Sequence, residues 1–322
     1  MNKYDVIIIG GACAGLSAAI YTARRELKTV VLTKDVGGQL AITADVENYP
    51  GFVSIKGPEL ALKFKEQAEK SGAEIKYAEV AEIQKKDSGY IVKTKDEEFE
   101  TVAIILAFGL KQRQLGVPGE KELIGKGVAY CATCDGPLFR GKNVAVVGGG
   151  NSAFDAAEYL STLAKKVYLF ARRDVYRAED VVVDAVKARS NIEIMNFTEV
   201  GAFIGQQKLE KVQLINNQTK GKSELELDGV FIEIGWESQL KKIAGLENLV
   251  EANERGFVIV DNDAKTSAPG IFAAGDVTNT PFKQAVISAG DGARAAMSAA
   301  VYIQRARGKE IGDAFVDRAK RR

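Results

Sequence analysis

Two stretches of the chain share one hydrophobic order: an unbroken apolar run, a glycine turn, then small residues at helical spacing. The first is Tyr4-Asp-Val-Ile-Ile-Ile-Gly10-Gly-Ala-Cys-Ala-Gly15, followed by a helical pattern from Leu16 to Leu27 and a second strand-like run, Thr29 to Thr33. The second is Asn143-Val-Ala-Val-Val-Gly148-Gly-Gly-Asn-Ser-Ala153, followed by a helical pattern from Phe154 to Leu163 and the run Val167 to Phe170. Between them, Glu59 to Ser71 has the spacing of an amphipathic helix, and alternation over Tyr90 to Thr94 and Glu98 to Ala103 predicts a small antiparallel insertion. The turn-rich stretch Gly116 to Gly119 predicts a first crossing between units, and Gly235 to Leu240 a return. A last strand, Gly270 to Ala274, runs into Gly275-Asp276-Val277, a helix from Ala285 to Ile303 follows, and Arg318 to Arg322 is a basic tail expected to lie in solvent. The second unit is thus inserted in the first.

Strand, glycine turn and helix is how a dinucleotide-binding unit begins, because a helix amino terminus offers unpaired amides and partial positive charge to a pyrophosphate. In the first turn Gly10 and Gly15 hold the outer positions, but Ala12 adds a methyl where the backbone normally approaches phosphate. In the second, Gly148 and Gly150 fill the first two positions and Ala153 the third, where a small side chain lets helix pack on sheet. About twenty residues on, where an acid would favour the free ribose hydroxyl of NAD, stand Arg172, Arg173 and Arg177. Guanidinium forks suit a 2′-phosphate, so NADPH is the expected nucleotide there.

Composition narrows the chemistry. The 322 residues suffice for two domains, and 46% apolar with 27% charged residues is the make-up of an ordinary globular protein. Lys and Arg number 44 against 43 Asp and Glu, so no global field would hold nucleic acid or an anionic membrane. The amino terminus passes from Met1 straight into a strand without the pattern of a secretory signal, and no apolar run reaches ~18 residues, so a cytoplasmic address and no membrane span are expected. The chain has no histidine, which removes the commonest general base and metal ligand and disfavours hydrolase and zinc chemistry.

Of three cysteines, two form Cys131-Ala-Thr-Cys134, the spacing at which two thiols can close a small ring and exchange electrons in pairs. Half a zinc site would need a second ligand pair, and Cys13 is alone and distant in sequence, so no metal is expected. Cys13 is expected as a packed small residue. Asp135, next to the pair, is the leading candidate to move the proton that thiolate departure requires.

Taken with Gly37-Gly38-Gln39-Leu40, Val46-Glu-Asn48-Tyr-Pro-Gly51, Cys131-Ala-Thr-Cys-Asp-Gly136, Arg172-Arg-Asp-Val-Tyr-Arg177, Gly275-Asp276 and Lys283-Gln284-Ala285, the order of motifs resembles the low-molecular-weight thioredoxin reductases. It is similar too to the flavoprotein part of the bacterial alkyl hydroperoxide reductase system, and the likeness runs nearly end to end. The resemblance implies an α/β fold of two Rossmann-like dinucleotide-binding domains of the three-layer ββα type. It places an FAD domain at residues 1–113 and 241–322 and an inserted NADPH domain, carrying the cysteine pair, at 114–240. FAD would lie against Gly10, Ala12, Ala14, Gly15, Gly38, Gln39, Leu40, Asn48, Gly109, Gly275, Asp276, Lys283, Gln284 and Ala285. NADPH would take Gly148, Gly150, Asn151, Ser152, Ala153 and the three arginines.

By the same resemblance Cys134 is the flavin-side thiol and Cys131 the one that attacks a disulfide of thioredoxin or a thioredoxin-like protein. One domain would rotate against the other about hinges near 112–117 and 235–242, and the protein would be a homodimer. Three departures stand out: Phe108 where the family usually has threonine, Trp236-Glu237-Ser238 in the returning crossover, and Ala171 before the double arginine. A peroxiredoxin-linked reductase or dithiol oxidase on the same scaffold is the alternative enzyme, and a nucleotide-binding redox sensor the alternative without catalysis.

Overall fold

The computed structural model describes residues 2–43 and 45–309. The strand Asn2–Gly11 is the centre of the first unit, and its side chains divide by parity. Val6 and Ile8 face one core, with the helices Cys13–Arg24 and Ala285–Ala306; Ile7 and Ile9 face another, with Val80, Ile83, Tyr90, Val92 and Phe99. Alternate residues of a strand point to opposite faces, so an unbroken apolar run means cover on both. The layers are therefore helix, parallel sheet and antiparallel sheet.

In the parallel layer the order is Glu74–Tyr77, Thr29–Val36, Asn2–Gly11, Glu98–Leu106, with Ile271–Ala273 beside the carboxyl half of the long strand. The amino half of that same strand pairs antiparallel with Gly89–Thr94, which pairs with Val80–Lys86. One nine-residue strand thus belongs to both layers. The two helices approach closely because their facing positions are small: a Cβ on Gly292 would stand 2.0 Å from the Ala14 carbonyl oxygen. A larger residue there would push the closing helix off the first.

The second unit repeats the plan. Five parallel strands run in the order Val128–Ala129, Gly229–Ile232, Asn143–Val147, Lys166–Phe170, Ile192–Met195. Val144, Val146, Val167 and Leu169 pack under the helix Asn151–Ser161 with Phe154 and Leu160, all fully buried. Ala145, Val147, Phe170 and Val230 pack on the antiparallel sheet Thr198–Ile204, Lys211–Asn216, Lys222–Glu226. Burying each such aliphatic or aromatic side chain contributes about 1.5–3 kcal/mol before chain entropy is charged against it. None of these buried clusters mixes residues of the two units, so each unit has cores of its own.

The chain passes between the units twice, and the two passages pair with each other. Leu110–Gln112 and Trp236–Ser238 form an antiparallel ribbon with Trp236 opposite Gln112, extended by a bond from Arg113 N–H to the Gly235 carbonyl at 3.1 Å. The helices at 57–70, 151–161 and 285–306 begin and end within a few residues of the patterns read in the sequence. The segment Arg318 to Arg322 lies outside the described residues.

Candidate functional site

The first glycine turn is built by close contact. Gly10 takes a left-handed φ of 115°, and a Cβ there would lie 2.3 Å from the Ala107 carbonyl oxygen. A Cβ on Gly15 would lie 1.8 Å from the Gly10 carbonyl oxygen, so this glycine lets the helix start directly against the turn. Ala12, which precedes the helix, has φ −110°, a conformation open to any residue, so its methyl causes no backbone strain. Thr33 Oγ1 accepts the Gly11 N–H at 2.9 Å, and the Gly37 N–H bonds the Gly11 carbonyl, also at 2.9 Å, which fixes the Gly37-Gly38 turn beside the helix start.

These turns open on a cavity of about 650 Å³. Of the residues expected to lie against FAD, Gly10, Ala12, Ala14, Gly38, Gln39, Leu40, Asn48, Gly109, Asp276, Lys283, Gln284 and Ala285 line it. Gly15 and Gly275 do not. Gly15 is packed against Gly10, and Gly275, at φ 74°, is needed behind the wall, where a Cβ would stand 2.9 Å from that of Ala14. Cys13 also lines the cavity, and burial together with Asp276 pushes its thiol up to about 12, so it stays a protonated, inert group.

The polar wall is organised around Asp276. Burial pushes its carboxyl above the ordinary range, while Lys283 and a bond from Ser288 Oγ at 3.1 Å pull the other way. Lys283 is half-buried, gives its ammonium to the Thr278 carbonyl at 2.7 Å and sits 4.9 Å from the Phe257 ring centre; burial lowers its pKa.

Cys131 and Cys134 are joined as a disulfide with Cα atoms 5.3 Å apart, and both line this same cavity, with Asp135. The short helix Ala132–Asp135 carries them, and the Asp135 N–H bonds the Cys131 carbonyl at 3.0 Å. A polar chain ties this segment to the first unit: Asn48 Nδ2 donates to Gln284 Oε1 at 3.1 Å, Gln284 Nε2 donates to Thr133 Oγ1 at 3.3 Å, and Thr133 Oγ1 is 3.4 Å from Cys131 Sγ. Asp135 Oδ1 is buried and finds no hydrogen-bond partner among the described residues. Burial, with Asp45 nearby, raises the Asp135 carboxyl to about 6. An acid so placed holds a proton at a pH where an exposed aspartate has lost it.

The second glycine turn stands apart from this cavity. A Cβ on Gly148 would meet the Glu233 carbonyl oxygen at 2.4 Å, whereas on Gly149 or Gly150 it would meet nothing among the described residues within 4 Å. The arginine segment folds back over the turn, with the Arg177 N–H on the Gly149 carbonyl at 2.7 Å and Asn151 Oδ1 accepting the Glu179 N–H at 2.8 Å. Arg172 and Arg173 are exposed on the same segment, and Ser152 and Ala153 lie in the first turn of the helix. All eight residues expected to hold NADPH therefore belong to one turn and the segment that covers it, and none lines the cavity reached by the disulfide.

Four side chains of this region were not read from the sequence. Thr133 lies between the cysteines, which was a signal in itself; Asp45 meets Asp135 only through the fold. Glu120, buried, accepts the Leu115 and Gly116 amides at 3.0 and 2.7 Å and the Tyr130 hydroxyl at 2.6 Å, fixing the residue before Cys131. Glu233 breaks the apolar run Gly229-Val-Phe-Ile, a pattern that marks it as unusual. Phe108 and Trp236, noted as departures, both line the cavity.

Two nucleotide-type turns and a disulfide set against one of them define an oxidoreductase of the flavin and nicotinamide class. The chain belongs to the pyridine nucleotide-disulphide oxidoreductase family, whose model matches residues 4–300. It is similar to the thioredoxin reductase of Bacillus subtilis (strain 168), at 42% identity over 303 residues, covering 94% of this chain and 95% of that protein. In structure it is similar to thioredoxin reductase from Streptococcus pyogenes MGAS5005, with a TM-score of 0.89, 38% identity and coverage of 94% and 99% of the two chains. Lactococcus lactis thioredoxin reductase in its FR conformation gives a TM-score of only 0.64 at the same 38% identity and the same coverage of 94% and 99%. Equal identity with unequal superposition points to a difference in arrangement, not in fold. Among the described residues no helix is long and apolar enough to cross a membrane.

Proposed function

We propose that this chain is an FAD-containing, NADPH-dependent disulfide reductase that acts on thioredoxin or a thioredoxin-like protein. One observation carries the reading: the Cys131–Cys134 disulfide lines the cavity onto which the first glycine turn opens.

The residues present fit both nucleotides. The first turn brings Gly10, Ala12 and Ala14 to the wall of a cavity, and its helix start faces that cavity with polar groups at Asn48, Asp276 and Gln284. These residues would hold FAD, which when bound supplies a two-electron carrier between nicotinamide and disulfide. The open space at Gly149 and Gly150 together with Arg172, Arg173 and Arg177 would hold NADPH, the arginines on its 2′-phosphate. In this proposal residues 114–240 form the inserted NADPH domain and 1–113 with 241–322 the FAD domain.

The cysteines do the exchange. Opening the disulfide needs a proton for the departing sulfur, and Asp135, holding one up to about pH 6, delivers it to the pair and takes it back. Cys131 Sγ then attacks the partner's disulfide as thiolate, and Cys134 Sγ resolves the mixed disulfide, leaving the partner with two thiols and the enzyme oxidised. The second turn lies off the cavity, so nicotinamide and disulfide take turns at the flavin, which the lower similarity to the FR form supports. Family likeness extends the proposal to a homodimer in the cytoplasm.

The test is NADPH oxidation with a panel of thioredoxin-like proteins, comparing wild type with Cys131→Ser and Cys134→Ser. Disulfide reduction should fall to background in both variants while NADPH still bleaches the flavin anaerobically. Unchanged turnover in both variants refutes the route, and failure of NADPH to bleach wild-type flavin favours a dithiol oxidase.

A further inference from the structure

The two sulfurs of the redox pair are held unequally. Thr133 Oγ1 is 3.4 Å from Cys131 Sγ, and since a disulfide sulfur has no hydrogen to give, the hydroxyl is the donor. Its oxygen is left to accept, and it takes Gln284 Nε2 at 3.3 Å. That bond turns the Gln284 amide so that its Oε1 accepts Asn48 Nδ2 at 3.1 Å. All three donors therefore point one way, from the first unit toward Cys131 Sγ. Among the described residues no hydrogen bond reaches Cys134 Sγ.

Charge around the helix Ala132–Asp135 works against a sulfur anion. On the elements packed against it stand Asp45 of the strand Asp45–Val46, and Asp155, Glu158 and Tyr159 of the helix Asn151–Ser161; Asp135 is its own, and Glu233 lies beside Ala132. Two cations of this neighbourhood are turned to acids, Lys56 to Asp45 at 2.8 Å and Arg189 to Glu158 at 2.8 Å. An anion here is held by donors in contact with it. Aligned hydrogen bonds polarise one another, so a chain that ends on one sulfur favours charge on that sulfur.

We propose that Thr133 is a further catalytic residue: its hydroxyl, polarised by Gln284, settles on Cys131 the negative charge released when the disulfide opens, and so selects Cys131 as the attacking sulfur. Breaking the S–S bond takes two electrons, from reduced nicotinamide by the route proposed above or from dithiothreitol in the test, and leaves two sulfur anions. One proton turns one of them into a thiol. The remaining anion can rest on either sulfur by proton exchange, and the Thr133 bond places it on Cys131, with the thiol on Cys134. The Thr133 bond lies within the redox segment and travels with it, whereas the Gln284 bond crosses between the units and lasts only while they are apposed. On leaving the cavity Cys131 loses the polarising amide, becomes more basic and with that more nucleophilic. The inference rests on the proposed function for the dithiol's role but not for where its charge sits.

The experiment is alkylation by iodoacetamide of the dithiothreitol-reduced, flavin-loaded protein from pH 5 to 10, with peptide mass spectrometry giving separate initial rates for Cys131 and Cys134. The ratio of the two rates at pH 6, divided by the same ratio on the alkaline plateau, removes access and reports where the anion sits. Cys13 does not compete, being buried with its thiol pushed up to about 12. T133V should lower this quotient roughly tenfold, the loss of about one pH unit of preference, and T133S, which keeps the hydroxyl, should leave it near the wild-type value. An unchanged quotient in T133V, an equal fall in T133S, or a change confined to the plateau rates overturns the proposal. Q284L should lower the quotient in the wild-type background and not in T133V; an additive effect, or none, overturns the part given to Gln284. No arm needs turnover on a thioredoxin, so the proposed function fails in NADPH oxidation and this inference in the quotient, each without the other.

Discussion

A Cβ added at Gly15 of the first glycine turn would sit 1.8 Å from backbone, while one added at Gly149 or Gly150 of the second would touch nothing among the described residues within 4 Å. Both turns follow a buried strand and precede a helix, and the sequences look alike. The first is closed tightly behind a large cavity. The second is tight at its first glycine, where a Cβ on Gly148 would meet the Glu233 carbonyl oxygen at 2.4 Å, and open at Gly149 and Gly150 beneath the exposed arginine segment. The two turns thus agree at the first glycine, Gly10 and Gly148, and differ in what surrounds the residues that follow it.

The strongest way to break this comparison is to put a methyl in each turn. Gly15→Ala must displace backbone and should cost more than about 4 kcal/mol, at the far end of single substitutions, with flavin lost or the protein insoluble. Gly150→Ala, at φ −110°, should change stability by no more than about 0.5 kcal/mol in thermal melts. Equal effects at the two sites would mean that the turns do not differ as described.

Next in size is the double variant R172A/R173A. Each charge-assisted bond to the 2′-phosphate contributes about 1.5–3 kcal/mol, so with two arginines removed KM for NADPH should rise roughly 100- to 10,000-fold with KM for NADH little changed. A parallel rise for both nucleotides would remove the phosphate from these arginines.

Asp135 sharpens the contrast through pH. An aspartate whose folded-state acid is lifted from 3.8 to about 6 contributes stability that is complete below its unfolded value and lost as pH rises through about 6. D135N should therefore be more stable than the wild type at pH 7.5, by about 3 kcal/mol, with the advantage gone at pH 3.5. The smallest expected effect is that of Thr133→Val, which removes the 3.3 Å bond from Gln284 that helps hold the disulfide at the cavity. Loss of about 1 kcal/mol from that pose should speed anaerobic bleaching by NADPH up to about fivefold.

The nucleotide units were legible because their signals are local. Strand, turn and helix lie within twenty residues at Tyr4 and again at Asn143, and the arginines follow at a set distance. The antiparallel sheet over 198–226 was not read, although Val200, Phe203, Val212 and Leu214 are its buried face: register shifts at Val200/Ala202 interrupt the alternation that marks a strand. Long-range neighbours were illegible for a different reason. Nothing near Asp45 announces that it will stand by Asp135, since a strand pair and a domain crossing intervene. Gly15 and Gly275, expected among the FAD-binding residues, stand behind the cavity lining, and the sequence could not foretell this because a glycine required for packing and one beside a ligand look the same.

The ribbon of Leu110–Gln112 with Trp236–Ser238 gives the molecule a property of assembly as much as of motion. Its two strands lie one ladder spacing apart, about 5 Å, so the outer unit could be sealed by a turn of a few residues and the inner one lifted out with neighbouring ends. A segment joined to its host through such a narrow seam is suited to being exchanged whole, and a new electron donor could be grafted by swapping it without re-cutting either core.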